Sequence, residues 1–170
     1  MKRISFVLLI LLMSCTNSKP IDKNLIKKDI NNIMDNWHKN VANINFDAYF
    51  NAMTADAVFI GTDASENWTK TKFMEFAKPY FDKKKTWNFK PLERNIYIAE
   101  DGKTVWFDEL LNTWMKVCRG SGVLVKQDDS WKIEHYVLSA TIPNDSMKKV
   151  VTIKSKSDSI FIKSLLKTHK

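Results

Sequence analysis

The sequence predicts an α+β fold in which one antiparallel sheet curls over helices. Apolar residues recur at helical spacing through the first half, whereas from Trp87 onward they alternate with polar residues in long runs separated by turn signals. Helices first and antiparallel strands afterwards, in a chain of 170 residues, is the layout of one α+β domain.

Ahead of the domain, Lys2 and Arg3 precede Ile4 to Met13, which is apolar apart from Ser5. That run is shorter than the roughly 20 residues a bilayer span needs and suits the core of a signal peptide. Leu12-Met13-Ser14-Cys15 follows, and a cysteine right after Leu-x-Ser resembles the bacterial lipobox, in which that cysteine becomes the lipidated first residue of the mature protein. Residues 1–14 are therefore expected to be a lipoprotein signal peptide, 15–21 a polar tether, 22–144 the domain and 145–170 a basic tail. The corresponding location is the cell envelope, held to the membrane by a lipid anchor at Cys15.

Leu25, Ile26, Ile30, Ile33, Met34, Trp37 and Val41 mark one face of a first helix, and Phe46, Tyr49, Phe50 and Met53 fit a second, shorter one. Ala57 to Ile60 suits a brief buried strand closed by Gly61. Asp63 and Glu66 have capping-box spacing, and Thr69 is an equal candidate to cap the helix that follows. That helix carries Phe73, Phe76 and Ala77 and is expected to break near Pro79. Trp87–Phe89 through Ile96–Ile98 lead to the turn Glu100-Asp101-Gly102-Lys103, and strands follow over 104–114, 117–126 and 131–142. In the tail, Val150 to Ile153 suits an extra edge strand and Ile160 to Leu166 a short helix, packed on the domain or lying loosely outside it; lysines beside apolar residues also suit a membrane surface.

The formal charge is +8, and it is unevenly spread. The tail beyond Pro143 holds seven lysines against Asp145 and Asp158, a net +5, so the domain is nearly neutral and carries no nucleic-acid footprint. With Cys15 lipidated, Cys118 has no partner for an intramolecular disulfide. No H-x-H or C-x-x-C occurs, and only His38 and His135 lie in the domain, so neither a metal nor a cofactor is expected.

Strand alternation puts Cys118, Gly120, Gly122 and Leu124 on one face and Arg119, Ser121, Val123 and Val125 on the other. The thiol and the hydroxyl cannot then share one simple site, and Gly120-Ser121-Gly122 lacks the spacing of a nucleophile elbow. The glycines read as room in a sheet wall, for a bend or for a ligand's approach. Arg119 faces Asp108 or Glu109 on the neighbouring strand, either as a cross-strand ion pair or as a pocket arginine for an acidic or carbonyl-bearing ligand. His135 shares an alternation with Trp131, Ile133 and Val137, which would point it inward as a general acid–base group. A Cys118–His135 pair is the alternative nucleophilic reading.

Several strings together resemble the SnoaL-like branch of the nuclear-transport-factor-2-like superfamily: Asp56-Ala-Val-Phe-Ile-Gly-Thr-Asp63 with Glu66-Asn67-Trp68, Trp106-Phe107-Asp108-Glu109, Cys118 to Leu124, and Trp131-Lys132-Ile133 before His135-Tyr136. The resemblance covers roughly residues 25–144 and implies a cone with an interior pocket. Members use such pockets for isomerisation, cyclisation, dehydration, hydrolysis or binding alone, so the fold does not fix the function. Trp37, Phe59, Trp68, Phe73, Phe76, Phe89, Trp106 and Phe107 suit an apolar pocket for a small molecule. Arg119, Trp37, His38, Trp68, Trp106 and Phe107 are the candidate ligand contacts, and His135 with Asp108 or Glu109 is the candidate catalytic set for a lyase or isomerase. A non-catalytic module that dimerises through the outer sheet face is the remaining expectation.

Overall fold

The computed structural model describes residues 21–168, so the expected signal peptide, Cys15 and most of the tether lie outside the described residues. Helix α1 (Lys23–Ala42) starts at Asp22, whose carboxylate accepts from the backbone N–H of Asn24 and Leu25 and satisfies two donors the first turn leaves open. Its apolar stripe is buried at Ile30, Met34, Trp37 and Val41. Ile44 then takes a left-handed conformation (φ 63°), and Asn45 caps α2 (Phe46–Asn51) through a bond from Ala48 N–H. Thr69 caps α3 (Lys70–Asp82), while Asp63 and Glu66 tie up a loop.

Three helical expectations change, the first being Met53, which starts a strand over Met53–Ile60 instead of closing the second helix. The third helix does not break at Pro79 but continues to Asp82. Pro79 gives up one backbone bond, to the Glu75 carbonyl, but Phe81, buried beyond it, holds the last turn on the core. The tail forms one helix, α4 (Met147–Thr168), after a 3₁₀ turn at Asn144–Ser146. No glycine or proline interrupts it, the β-branched run at 150–153 lowers helix propensity only modestly, and Lys154 and Asp158 pair at i,i+4 across the expected break.

Six strands form one curved open sheet: β1 (Met53–Ile60), β2 (Asn67–Thr69), β3 (Lys90–Ile98), β4 (Thr104–Thr113), β5 (Lys116–Gln127) and β6 (Ser130–Ala140), in the order β2-β1-β6-β5-β4-β3. All neighbours are antiparallel except β1 and β6. The inner face takes Val105, Phe107, Glu109 and Leu111 from β4 and Cys118, Gly120 and Leu124 from β5. With α1, α2 and α3 these enclose the core, so the α+β cone is the observed architecture.

A bulge in β6 decides what else faces inward. Leu124 pairs with Ile133 and Val123 with His135, leaving Glu134 as the extra residue. Trp131 and Ile133 are buried before it, and Tyr136 and Leu138 after it. His135, which unbroken alternation would turn inward, therefore joins the outer side beside Val123 and Val58.

Candidate functional site

Glu109 is completely buried, and a carboxylate in that position is costly unless its oxygens are all engaged. Three elements supply the donors. From α1, His38 Nε2 lies 2.8 Å from Oε1. From β6, the Tyr136 hydroxyl donates to the same oxygen at 2.9 Å. From β3, Arg94 donates to Oε2 through Nε at 3.0 Å and Nη2 at 2.8 Å. These contacts use the acceptor capacity of a carboxylate in full. Arg94 Nη1 carries the network back to α1, donating to the Asn31 carbonyl and side chain and to Asp35 Oδ1 at 2.9 Å.

The glycines of β5 are explained by what lies above them. Glu109 pairs with Gly120, and a Cβ at Gly120 would land on the Tyr136 hydroxyl. At Gly122 a Cβ would come within 2.5 Å of the His135 carbonyl oxygen and 2.9 Å of the Phe107 ring. Both glycines thus make room for protein groups, the tyrosine that reaches the carboxylate and the bulge that aims it.

Burial pushes the Glu109 carboxyl up, but the hydrogen bonds and positive charge offered by His38 and Arg94 outweigh it and hold the group below its ordinary range. Burial, followed by the charge and hydrogen bond of Glu109, raises Tyr136 well above its ordinary value, so it remains a neutral donor.

Beside this network lies a separate apolar cavity of about 120 Å³, lined by Phe59, Trp68, Phe73, Phe76, Trp87 and Phe89, with Leu138 and the hairpin-tip Trp114. Its rings are ordered: Phe59 and Phe73 stack at 3.9 Å, and Trp68 and Phe76 at 4.4 Å. Gly61, Thr62 and Glu66 line it too, and Glu66 is the sole ionisable side chain among these lining residues. Phe89 also borders a second, outer pocket of about 320 Å³ that reaches His38, Asp35, Lys39 and Lys90.

The expected site residues divide accordingly. His38 and Glu109 meet, and Trp68 lines the cavity. Trp37 and Phe107 are buried in the core, Trp37 stacked on Tyr49 at 4.9 Å. Arg119 pairs with Leu110, is exposed and faces neither carboxylate across the hairpin. Asp108 lies on the outer side, where Asn95 Nδ2 reaches it at 3.3 Å. Trp106 is half exposed there, stacked on Tyr97. His135 and Asp108 thus do not join Glu109. Cys118 pairs with Ala140, faces opposite to His135 and sits 3.4 Å from Thr113 Oγ1, so the Cys–His pair does not form. Among the described residues no three His, Cys, Asp or Glu side chains gather as a metal site.

Arg94 and Tyr136 escaped the sequence reading. Arg94 had a signal: a hairpin that pairs Ile98 with Val105 across the turn at 100–103 also pairs Arg94 with Glu109. Tyr136 had none, because the bulge sets its direction.

A cone of helices over a curved sheet, enclosing an aromatic cavity, defines a nuclear-transport-factor-2-like protein. Solved structures of that class share the fold. One is a nuclear-transport-factor-2-like protein of unknown function from Pseudomonas putida (TM-score 0.62, 12% identity, covering 72% of this chain and 92% of the other). Another, from Novosphingobium aromaticivorans, is described as a candidate scytalone dehydratase (TM-score 0.62, 11% identity, 70% and 87%). A third, nuclear-transport-factor-2-like, is from Cytophaga hutchinsonii (TM-score 0.55, 17% identity, 68% and 98%). The SnoaL-like domain profile matches residues 30–143, and the chain belongs to that family. No functionally curated protein matches it.

Because the folded pKa of Glu109 is depressed, its contribution to stability is complete above the unfolded value of about 4.3 and is lost as pH falls toward the folded one. Urea unfolding across that acid range should show this component in the parent chain and not in Glu109→Gln. At neutral pH, Glu109→Ala should cost about 3–5 kcal/mol, since it strands the donors of His38, Tyr136 and Arg94 together.

Proposed function

We propose that this SnoaL-like domain binds a small, largely apolar molecule in its aromatic cavity and is held at the cell envelope by acylation of Cys15. The observation that carries the binding reading is the cavity itself, a space of about 120 Å³ walled by ordered rings with Glu66 as its one ionisable lining group. Its size suits a single ring, since an engineered cavity of about 150 Å³ takes benzene. Glu66 favours a ligand that carries a hydrogen-bond donor or a positive charge beside that ring. The Glu109 network serves here as the support behind the wall, because its carboxylate has no lone pair left for a substrate.

A lyase or isomerase activity is the second reading, and one observation favours it: His38 touches the buried Glu109 and also lines the outer pocket. A histidine held by a carboxylate at the edge of a pocket is an arrangement acid–base chemistry uses. The acid–base group would then be His38.

Native mass spectrometry of the purified chain, with tryptophan quenching by small aromatic amines, is expected to find a ligand whose affinity drops at least tenfold in Trp68→Ala; no bound species and no quenching would reject the cavity as a site. Turnover of a retained ligand should be abolished by His38→Ala under the enzyme reading and absent from the parent under the binding reading. For the anchor, a labelled fatty acid should enter the parent and not Cys15→Ala, and only the parent should resist extraction from membranes by high salt.

A further inference from the structure

Helix α4 contains 22 residues and leaves most of its apolar side chains in solvent: Ile153 is 79% exposed, Leu166 64% and Ile162 55%. Val150, Asp158 and Phe161 are partly buried, and a space of about 470 Å³ lies between Asp158, Ile160 and Phe161 and the loop at Asp63–Ser65. The helix is therefore neither a core element nor covered by the cone.

Its charges are sorted. Lys149, Lys156 and Lys163 recur every seven residues, and Lys167 follows one turn later, forming one stripe on the side away from Val150 and Phe161. Ile153 and Ile160 border the stripe on one side and Leu166 on the other, while Val151 and Ile162 lie farther round the helix. The helix holds a single acid, Asp158, and Lys154 neutralises it at 3.2 Å. Among the described residues no other lysine of α4 has an acidic partner. At about 1.5 Å per residue the helix of 22 residues runs roughly 33 Å. No described helix is long and apolar enough to cross a membrane.

We propose that α4 is an interfacial helix that docks on an anionic phospholipid surface. Its exposed apolar border enters the headgroup region while the lysines reach lipid phosphates along their apolar stems. The charge of the stripe selects this occupant. A second copy of α4 would bring a like-charged stripe against it, and an uncharged apolar partner would leave the lysines unmatched. The docking is independent of the ligand cavity and of Cys15, since it uses only residues of α4.

The test is cosedimentation of the full chain carrying Cys15→Ala with phosphatidylcholine vesicles, with and without phosphatidylglycerol. Residues 1–20 are common to all samples, so differences between variants report on α4. Binding should be at least tenfold stronger with phosphatidylglycerol and should vanish toward 1 M salt, where screening shortens to about 3 Å. Each lysine near such a surface is worth about 1 kcal/mol, roughly fivefold, so the triple variant Lys149→Gln, Lys156→Gln, Lys163→Gln should partition about a hundredfold less. Ile153→Glu with Ile160→Glu should also release the chain, and thermal melts of both variants should match the parent. Equal binding to neutral and anionic vesicles, or an unchanged triple variant, would overturn the proposal. So would light scattering that showed these variants splitting a dimer while vesicle binding stayed the same.

Discussion

Everything inside the cone is arranged around the unreacted charge of Glu109. Hydrophobic packing holds a helix on a sheet without fixing where along the sheet it sits, because apolar contact has no direction. The carboxylate supplies the direction. One oxygen joins α1 to β6 through His38 and Tyr136, and the other grips β3 through Arg94, which reaches back to α1 at Asn31 and Asp35. Sliding α1 by one turn would break bonds at both ends of it, and each break leaves a buried group unsatisfied. The network therefore fixes the register of a helix that its apolar stripe alone would leave loose.

The same constraint reaches into residues that touch no charge. Tyr136 can lean over the sheet only because β5 has no side chain at Gly120, and it points inward only because Glu134 is bulged out two residues earlier. The bulge in turn needs Gly122, where a Cβ would press on the carbonyl of His135. Two glycines, one bulge and one tyrosine are thus a single device, and changing any one of them strands the hydroxyl. This also locates the cavity. With the polar groups gathered around Glu109, the space between α3 and the sheet is left to Phe59, Trp68, Phe73 and their neighbours, so the two environments lie side by side without mixing.

Much of this was legible in the sequence wherever one period held. The stripe from Leu25 to Val41, the alternation of β4 that turns Glu109 and Phe107 the same way, and the separation of Cys118 from Ser121 all follow from unbroken repeats. The failures fall where a repeat is interrupted or has two solutions. Reading straight through β6 turns His135 inward, because a bulge adds a residue without leaving a composition signal. Arg119 drew attention as the arginine beside two acids, yet the hairpin tip at Trp114 and Met115 sets it against Leu110, and the inward arginine is Arg94 on the far strand. The tail divided into strand and helix because Val150 to Ile153 is β-branched, although Val151 and Ile162, three turns apart, already share one helical face.

That last case shows what local propensity omits. A β-branched run becomes a strand when a sheet edge is within reach; otherwise the chain satisfies its backbone alone, and only a helix does so. The tail leaves the domain after β6, an interior strand flanked by β1 and β5, while the open edges are β2 and β3. With no edge beside its start, the segment coils, and coiling converts a sequence of mixed lysines and apolar residues into a sorted one. The sorting is a geometric consequence of the 3.6-residue turn, and it makes α4 a surface with two chemistries where an extended tail would have presented neither as a continuous stripe.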